Sequence, residues 1–153
     1  MTTIQTAQEL QLLIEQHIDA LRAIDHATLK HKPIPDKWSK QEIIGHLADS
    51  AQNNLRRFIV AQYEDNPTIV YNQDKWVNTS GYQQQPGNEI IELWFLLNKQ
   101  ICHILRNMNE EAAQRICTTS EPHPINWLAE DYNKHLKHHL HQVLDLEPFV
   151  YPQ

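Results

Sequence analysis

The stretch INWLAEDYNKHLKHHLHQVLDL, residues 125–146, decides the fold. At about 100° per residue, Leu128, Tyr132, Leu136, Val143 and Leu146 fall on one side of a helix. The same wheel places His135 and His139 near the centre of that apolar stripe, with His138 at its edge and His141 pointing away. A polar group buried without a partner costs a few kcal/mol. Two imidazoles one turn apart on the buried side therefore need a use for their lone pairs, and a metal ion supplies one.

Upstream, the same periodicity marks three more helices. Helix one is expected from Thr6 to Leu29, with Leu10, Ile14, Ile18, Leu21, Ile24 and also His17 turned inward. Pro33 and Pro35 end it. Ser39, followed three residues later by Glu42, forms a capping box, so helix two starts at Lys40 and carries Ile43, Leu47, Ala51, Leu55 and Phe58 inward to Glu64. Residues 65–88, punctuated by Pro67, Gly81, Pro86 and Gly87, predict an irregular crossover. Its neighbouring aromatics Tyr63, Tyr71, Trp76 and Tyr82 are placed to cover one mouth of the bundle. Helix three runs from Asn88 to Met108 on Ile90, Trp94, Leu97, Ile101, Leu105 and Met108, and a polar connection leads to helix four at 125–146. The tail, 147–153, is expected to lie extended on the bundle surface. Four such helices make an all-α four-helix bundle in one domain, 1–153. A connection as long as 65–88 crosses the bundle instead of closing a hairpin, so helices two and three run parallel.

The composition narrows the function. Only 3 glycines disfavour a many-turned β fold, and 41% hydrophobic content suits a soluble domain. No apolar run reaches membrane-spanning length and no export signal opens the chain, so a cytoplasmic protein is expected. The 2 cysteines, Cys102 and Cys117, build no disulfide framework. A net charge of −6 without a basic face excludes a nucleic-acid binder, since phosphate contacts carry that affinity. Glycine-rich phosphate loops, GxSxG and HExxH are all missing.

An open, catalytic metal site needs a third ligand from another element. His46, at the inward margin of helix two with Asp49 and Ser50 beside it, is the best candidate to join His135 and His139. His17 is a possible fourth ligand, which would close the site and favour a non-catalytic metal-binding bundle. His26, His103, His141, His31 and His123 are expected in solvent. Lys37, Arg57 and Lys75 are possible anchors for an acidic cosubstrate.

Trp38-Ser39-Lys40-Gln41-Glu42-Ile43-Ile44-Gly45-His46-Leu47-Ala48-Asp49-Ser50 resembles the W-S-x-x-E-x-x-x-H-L-x-D-S signature of DinB-like proteins. His135 to Gln142 is similar to the H-x-x-H-H-x-x-Q segment of the family's fourth helix, and Asn66 to Trp76 resembles the crossover of its YfiT branch, the bacillithiol S-transferases. The resemblance implies an up-down-down-up bundle, often homodimeric, with a divalent ion such as nickel or zinc on His46, His135 and His139. It also implies transfer of a low-molecular-weight thiol such as bacillithiol to an electrophilic small molecule. A metal-dependent hydrolase or isomerase is the alternative, with water as the nucleophile or an isomerisation at the same ion.

Overall fold

Thr2 opens the first helix by accepting from the Gln5 backbone N–H, while Gln5 reaches back to the Thr2 N–H. In the computed structural model, which describes residues 1–151, the elements run α1 (Thr3–Arg22), α2 (His26–Lys30), α3 (Lys40–Val60), α4 (Gln73–Ser80), α5 (Gly87–Arg106), α6 (Glu110–Ala113), β1 (Ile116–Thr118), β2 (Pro122–Pro124) and α7 (Ile125–Val143). The four long helices, α1, α3, α5 and α7, form the bundle. Its centre holds Trp94, Phe58, Leu10, Ile44 and Leu136, all fully buried.

Side-chain contacts fix the helix directions. Arg22 pairs with Glu92 and the Cys102 thiol reaches Ala7 O, so α1 and α5 are antiparallel. Asn133 bonds Thr6 O and His141 lies beside His17, so α1 and α7 are parallel. Lys40 pairs with Asp145 and Phe58 packs on Tyr132, so α3 and α7 are antiparallel. The start of α5 at Gly87 lies against Gln41 at the start of α3, so these two are parallel. The order is up-down-down-up, with the crossover joining the two parallel neighbours.

The capping box at Ser39 forms as the sequence predicts: Glu42 N–H donates to Ser39 Oγ at 3.1 Å and Ser39 N–H to Glu42 Oε1 at 3.0 Å. Several boundaries differ. Helix one stops at Arg22 instead of Leu29, because the Asp25 carboxylate caps a separate short helix through the Thr28 N–H and hydroxyl. Helix two ends at Val60, short of Glu64, and Leu55 and Leu97 are only half-buried. The crossover is not irregular throughout: Asn72 caps α4 by accepting from Lys75 N–H, and Gly81, at φ 64°, ends it in the left-handed region.

A two-stranded hairpin stands where a polar connection was expected, with Ile116 opposite Pro124 and Thr118 opposite Pro122. It is tied to the crossover by Thr118 N–H to Pro67 O and Ile69 N–H to Thr118 O. Helix four stops at Val143; Asp145, at φ 55°, turns the chain away, and Leu146 is 42% exposed, not inward. The tail does return along the bundle as far as Tyr151, while the expectation for 152–153 lies outside the described residues. Among the described residues no helix is long and apolar enough to cross a membrane.

Candidate metal centre

The antiparallel pairing of α3 and α7 sets His46 against two turns of the last helix. The ring of His46 lies 5.1 Å from that of His135 and 5.0 Å from that of His139, and those two are 4.6 Å apart. One nitrogen from each ring falls within 4.8 Å of the others. The Nε2 atoms of His46 and His135 face each other at 3.2 Å. His17 does not join them; it is half-buried, with its ring 6.4 Å from His141.

The trio sits in a setting that keeps it neutral. Burial, with His139 nearby, pushes His46 down to about 3. Burial again, then His139, His46 and His138, lowers His135 to about 2. His139 is lowered by burial, partly opposed by Gln142, whose Oε1 accepts the His139 Nδ1–H at 3.0 Å. That bond leaves the His139 Nε2 lone pair free. Trp38 packs 4.9 Å from the His46 ring, which is 1% exposed.

Two polar atoms one turn apart on α3 lack partners: His46 Nδ1 and Asp49 Oδ2 are buried without a hydrogen bond. The other Asp49 oxygen accepts from the Tyr82 hydroxyl, and burial raises the Asp49 carboxyl to about 6. Gly45 permits this contact, because the Tyr82 ring occupies the space a Cβ there would need. Three neutral imidazoles with converging nitrogens, two at like-atom contact, form a donor set suited to a borderline divalent cation, so the residues fit a metal.

His135 also lines a cleft of about 600 Å³ beside the trio. One wall is polar: Ser50, Asn54 and Arg57 of α3, with the Arg57 guanidinium held by Ile69 O and Asn54 Oδ1. The cleft's aromatic lining comes from Tyr71, Trp127, Tyr132 and Tyr151, with His123 stacked on Trp127 at 3.6 Å and 11°, and Asp131 and Lys134 of α7 line it as well.

Several placements differ from expectation. Of the three basic side chains, Arg57 lines the cleft, whereas Lys37 is exposed in the loop before α3 and Lys75 lies on a shallow groove on α4. His123 is not solvated but stacked, and His141 is half-buried with Nδ1–H donating to Glu147 O at 2.6 Å. His26, His31 and His103 are exposed as expected. Of the crossover aromatics, Tyr71 lines the cleft and Tyr82 is buried under α3, while Tyr63, 67% exposed, covers nothing. The Tyr151 wall has no periodic signal; a tail carrying Phe149 and Tyr151 beside a histidine run was the one available hint.

The sequence profile of the DinB superfamily matches residues 9–143, and the chain belongs to that superfamily. A protein of Oceanobacillus iheyensis named "Putative metal-dependent hydrolase" is 30% identical over 113 residues, covering 71% of this chain and 64% of the relative. The chain thus spans less than two thirds of that relative's length. A Bacillus cereus protein of the same name is 24% identical over 142 residues, covering 91% of this chain and 82% of the relative. Among solved structures, YfiT from Bacillus subtilis, described as a probable metal-dependent hydrolase with an unusual four-helix bundle topology, aligns with a TM-score of 0.84 at 19% identity, covering 94% of this chain and 84% of YfiT. The mycothiol-dependent maleylpyruvate isomerase aligns with a TM-score of 0.72 at 13% identity, over 99% of this chain and 65% of that one. These likenesses establish the fold.

Proposed function

We propose that this chain is a divalent-metal-dependent enzyme that transfers a low-molecular-weight thiol to an electrophilic small molecule, with His46, His135 and His139 as the ligands. The observation that carries the reading is the convergence of three neutral ring nitrogens beside a cleft large enough for a small molecule. A bound divalent ion supplies Lewis acidity, lowering the pKa of a thiol or water brought to it.

The chain's own residues supply the rest. Gln142 fixes the tautomer of His139, and burial keeps the rings of His46 and His135 unprotonated at neutral pH. The cleft carries Arg57 and Lys134 against Glu121 and Asp131, and Arg57, held by Ile69 O and Asn54 Oδ1, is the fixed cationic group for a carboxylate-bearing thiol. In the reaction an S–C bond forms and the bond from carbon to its leaving group breaks, with the leaving group taking the electron pair and the thiol proton passing to solvent.

Elemental analysis of the purified protein identifies the metal, since three imidazoles suit nickel and zinc alike. With metal restored, thiol consumption against monochlorobimane, lost on chelation, is the expected result. The names of the relatives favour a second reading, a metal-dependent hydrolase. Ester or amide cleavage without thiol, and no thiol turnover, would establish it instead.

A further inference from the structure

The histidine run 135–141 contains two rings that the trio does not use. His138 Nδ1–H donates to Phe149 O at 2.7 Å, and His141 Nδ1–H to Glu147 O at 2.6 Å. Between them the Lys137 ammonium lies 4.6 Å from the Phe149 ring centre. The tail is thereby fastened along α7 at successive points. It ends, within the described residues, at Tyr151, whose hydroxyl donates to Asp131 Oδ2 at 2.6 Å. Asp131 lies one turn before His135 on α7, so this bond lays the Tyr151 ring edge-on to His135, with centroids 5.5 Å apart. Tyr151, Asp131, Lys134 and His135 line the same end of the cleft.

We propose that residues 147–151 are a strap walling the cleft beside His135, and that Tyr151 is a specificity-determining residue that selects electrophiles with a flat aromatic body. The proposal rests on the cleft being the substrate site of the function proposed above. With its hydroxyl occupied by Asp131, Tyr151 has its ring left to offer the cleft. Trp127, 43% exposed and stacked on His123, offers a second aromatic surface in the same cleft. Two held aromatic groups in a cleft also lined by Ser50, Asn54 and Arg57 suit a flat apolar body carrying a polar edge. An aliphatic electrophile gains little there.

Two measurements on Tyr151→Ala, Tyr151→Phe and the parent protein test this. The first needs no metal and no turnover: modification of His135 by diethylpyrocarbonate in the metal-free protein, followed by peptide mass analysis. Tyr151→Ala is expected to speed modification of His135 several-fold, while Tyr151→Phe, which keeps the ring but loses the bond to Asp131, falls between Tyr151→Ala and the parent. Equal rates in all three would overturn the strap. The second compares metal-loaded turnover of monochlorobimane with that of iodoacetamide, a small aliphatic electrophile. Tyr151→Ala is expected to raise KM for the bimane by about tenfold, equivalent to about 1.4 kcal/mol, with kcat and the iodoacetamide constants within about twofold. A proportional change for both electrophiles, or one confined to kcat, would overturn the assignment of specificity. Failure of the parent protein to turn over thiol with either compound would instead remove the proposed function and the specificity role with it, and the modification rates would still decide the strap.

Discussion

Replacing Gly45 with alanine tests how the third histidine's helix is locked. A Cβ at Gly45 would lie 2.6 Å from Tyr82 Cε2, with its three nearest neighbours all atoms of the Tyr82 ring. Tyr82 is buried, its hydroxyl donates to Asp49, and its backbone carbonyl accepts from Gln41 Nε2 at 2.6 Å, so the ring has no free direction in which to yield. Overpacking of this kind costs about 1–3 kcal/mol. Displacing the ring also takes a donor from a buried carboxylate, worth about 1.5–3 kcal/mol. The alanine returns up to about 1 kcal/mol through helix propensity. The net is about 2–5 kcal/mol, or a fall in Tm of about 10 °C for a chain of this size. The assay is thermal unfolding followed by circular dichroism, in both the parent and a Tyr82→Ala background. With the ring gone, Gly45→Ala should be neutral or stabilising. A Gly45→Ala protein as stable as the parent, or one equally destabilised in the Tyr82→Ala background, refutes the account of Gly45 as space made for Tyr82.

Other outcomes follow from the same geometry. His135→Ala or His139→Ala should abolish stoichiometric metal measured by elemental analysis, and His141→Ala should retain it, because its ring faces the tail. Gln142→Ala should weaken metal affinity by about 10–100-fold in a chelator competition, through loss of the bond that orients His139. The metal-free protein should lose stability in acid: His46 and His135 are depressed in the folded state, so below about 6.5 the unfolded chain takes up protons that the native one refuses. The contribution of the two rings is full above that value and falls towards about pH 3 by about 1.4 kcal/mol per ring per pH unit. Asp49, raised to about 6, works the other way below that value, so urea midpoints from pH 7 to pH 4.5 should show a net loss of about 3 kcal/mol.

The helices were legible because their buried faces repeat, and α3 was legible to the residue at its start because Ser39 and Glu42 satisfy each other's backbone donors locally. The break after Arg22 was hidden by a stripe that continues through Ile24, and only the Asp25–Thr28 cap betrays it. The hairpin was missed because Pro122 and Pro124 argue against a strand, yet as a short outer strand it tolerates them, Ile125 N–H supplying the next bond, to Arg115 O. The convergence of His46 with His135 and His139 was anticipated from helix phase and family likeness together; phase alone also admitted His17. The structure separates them, since α1 runs parallel to α7 and brings His17 level with His141.

The histidine run thus divides by helical phase into two uses with opposite demands on the ring. Under the proposed function, His135 and His139, four residues apart on the inner face, must offer a bare nitrogen, and protonation ends that role. His138 and His141, three residues apart on the next face round, act by donating Nδ1–H to carbonyls of the tail, which an imidazolium does as well as a neutral ring. Acid therefore strips the lone pairs from the trio without withdrawing a single donor from the strap. Under the proposed function, protonation of the trio releases the metal while both imidazole donors to the tail stay in place. Loss of those two imidazole–carbonyl bonds on acidification while metal was still held, seen as faster limited proteolysis of the tail after α7, would contradict the division of labour along α7.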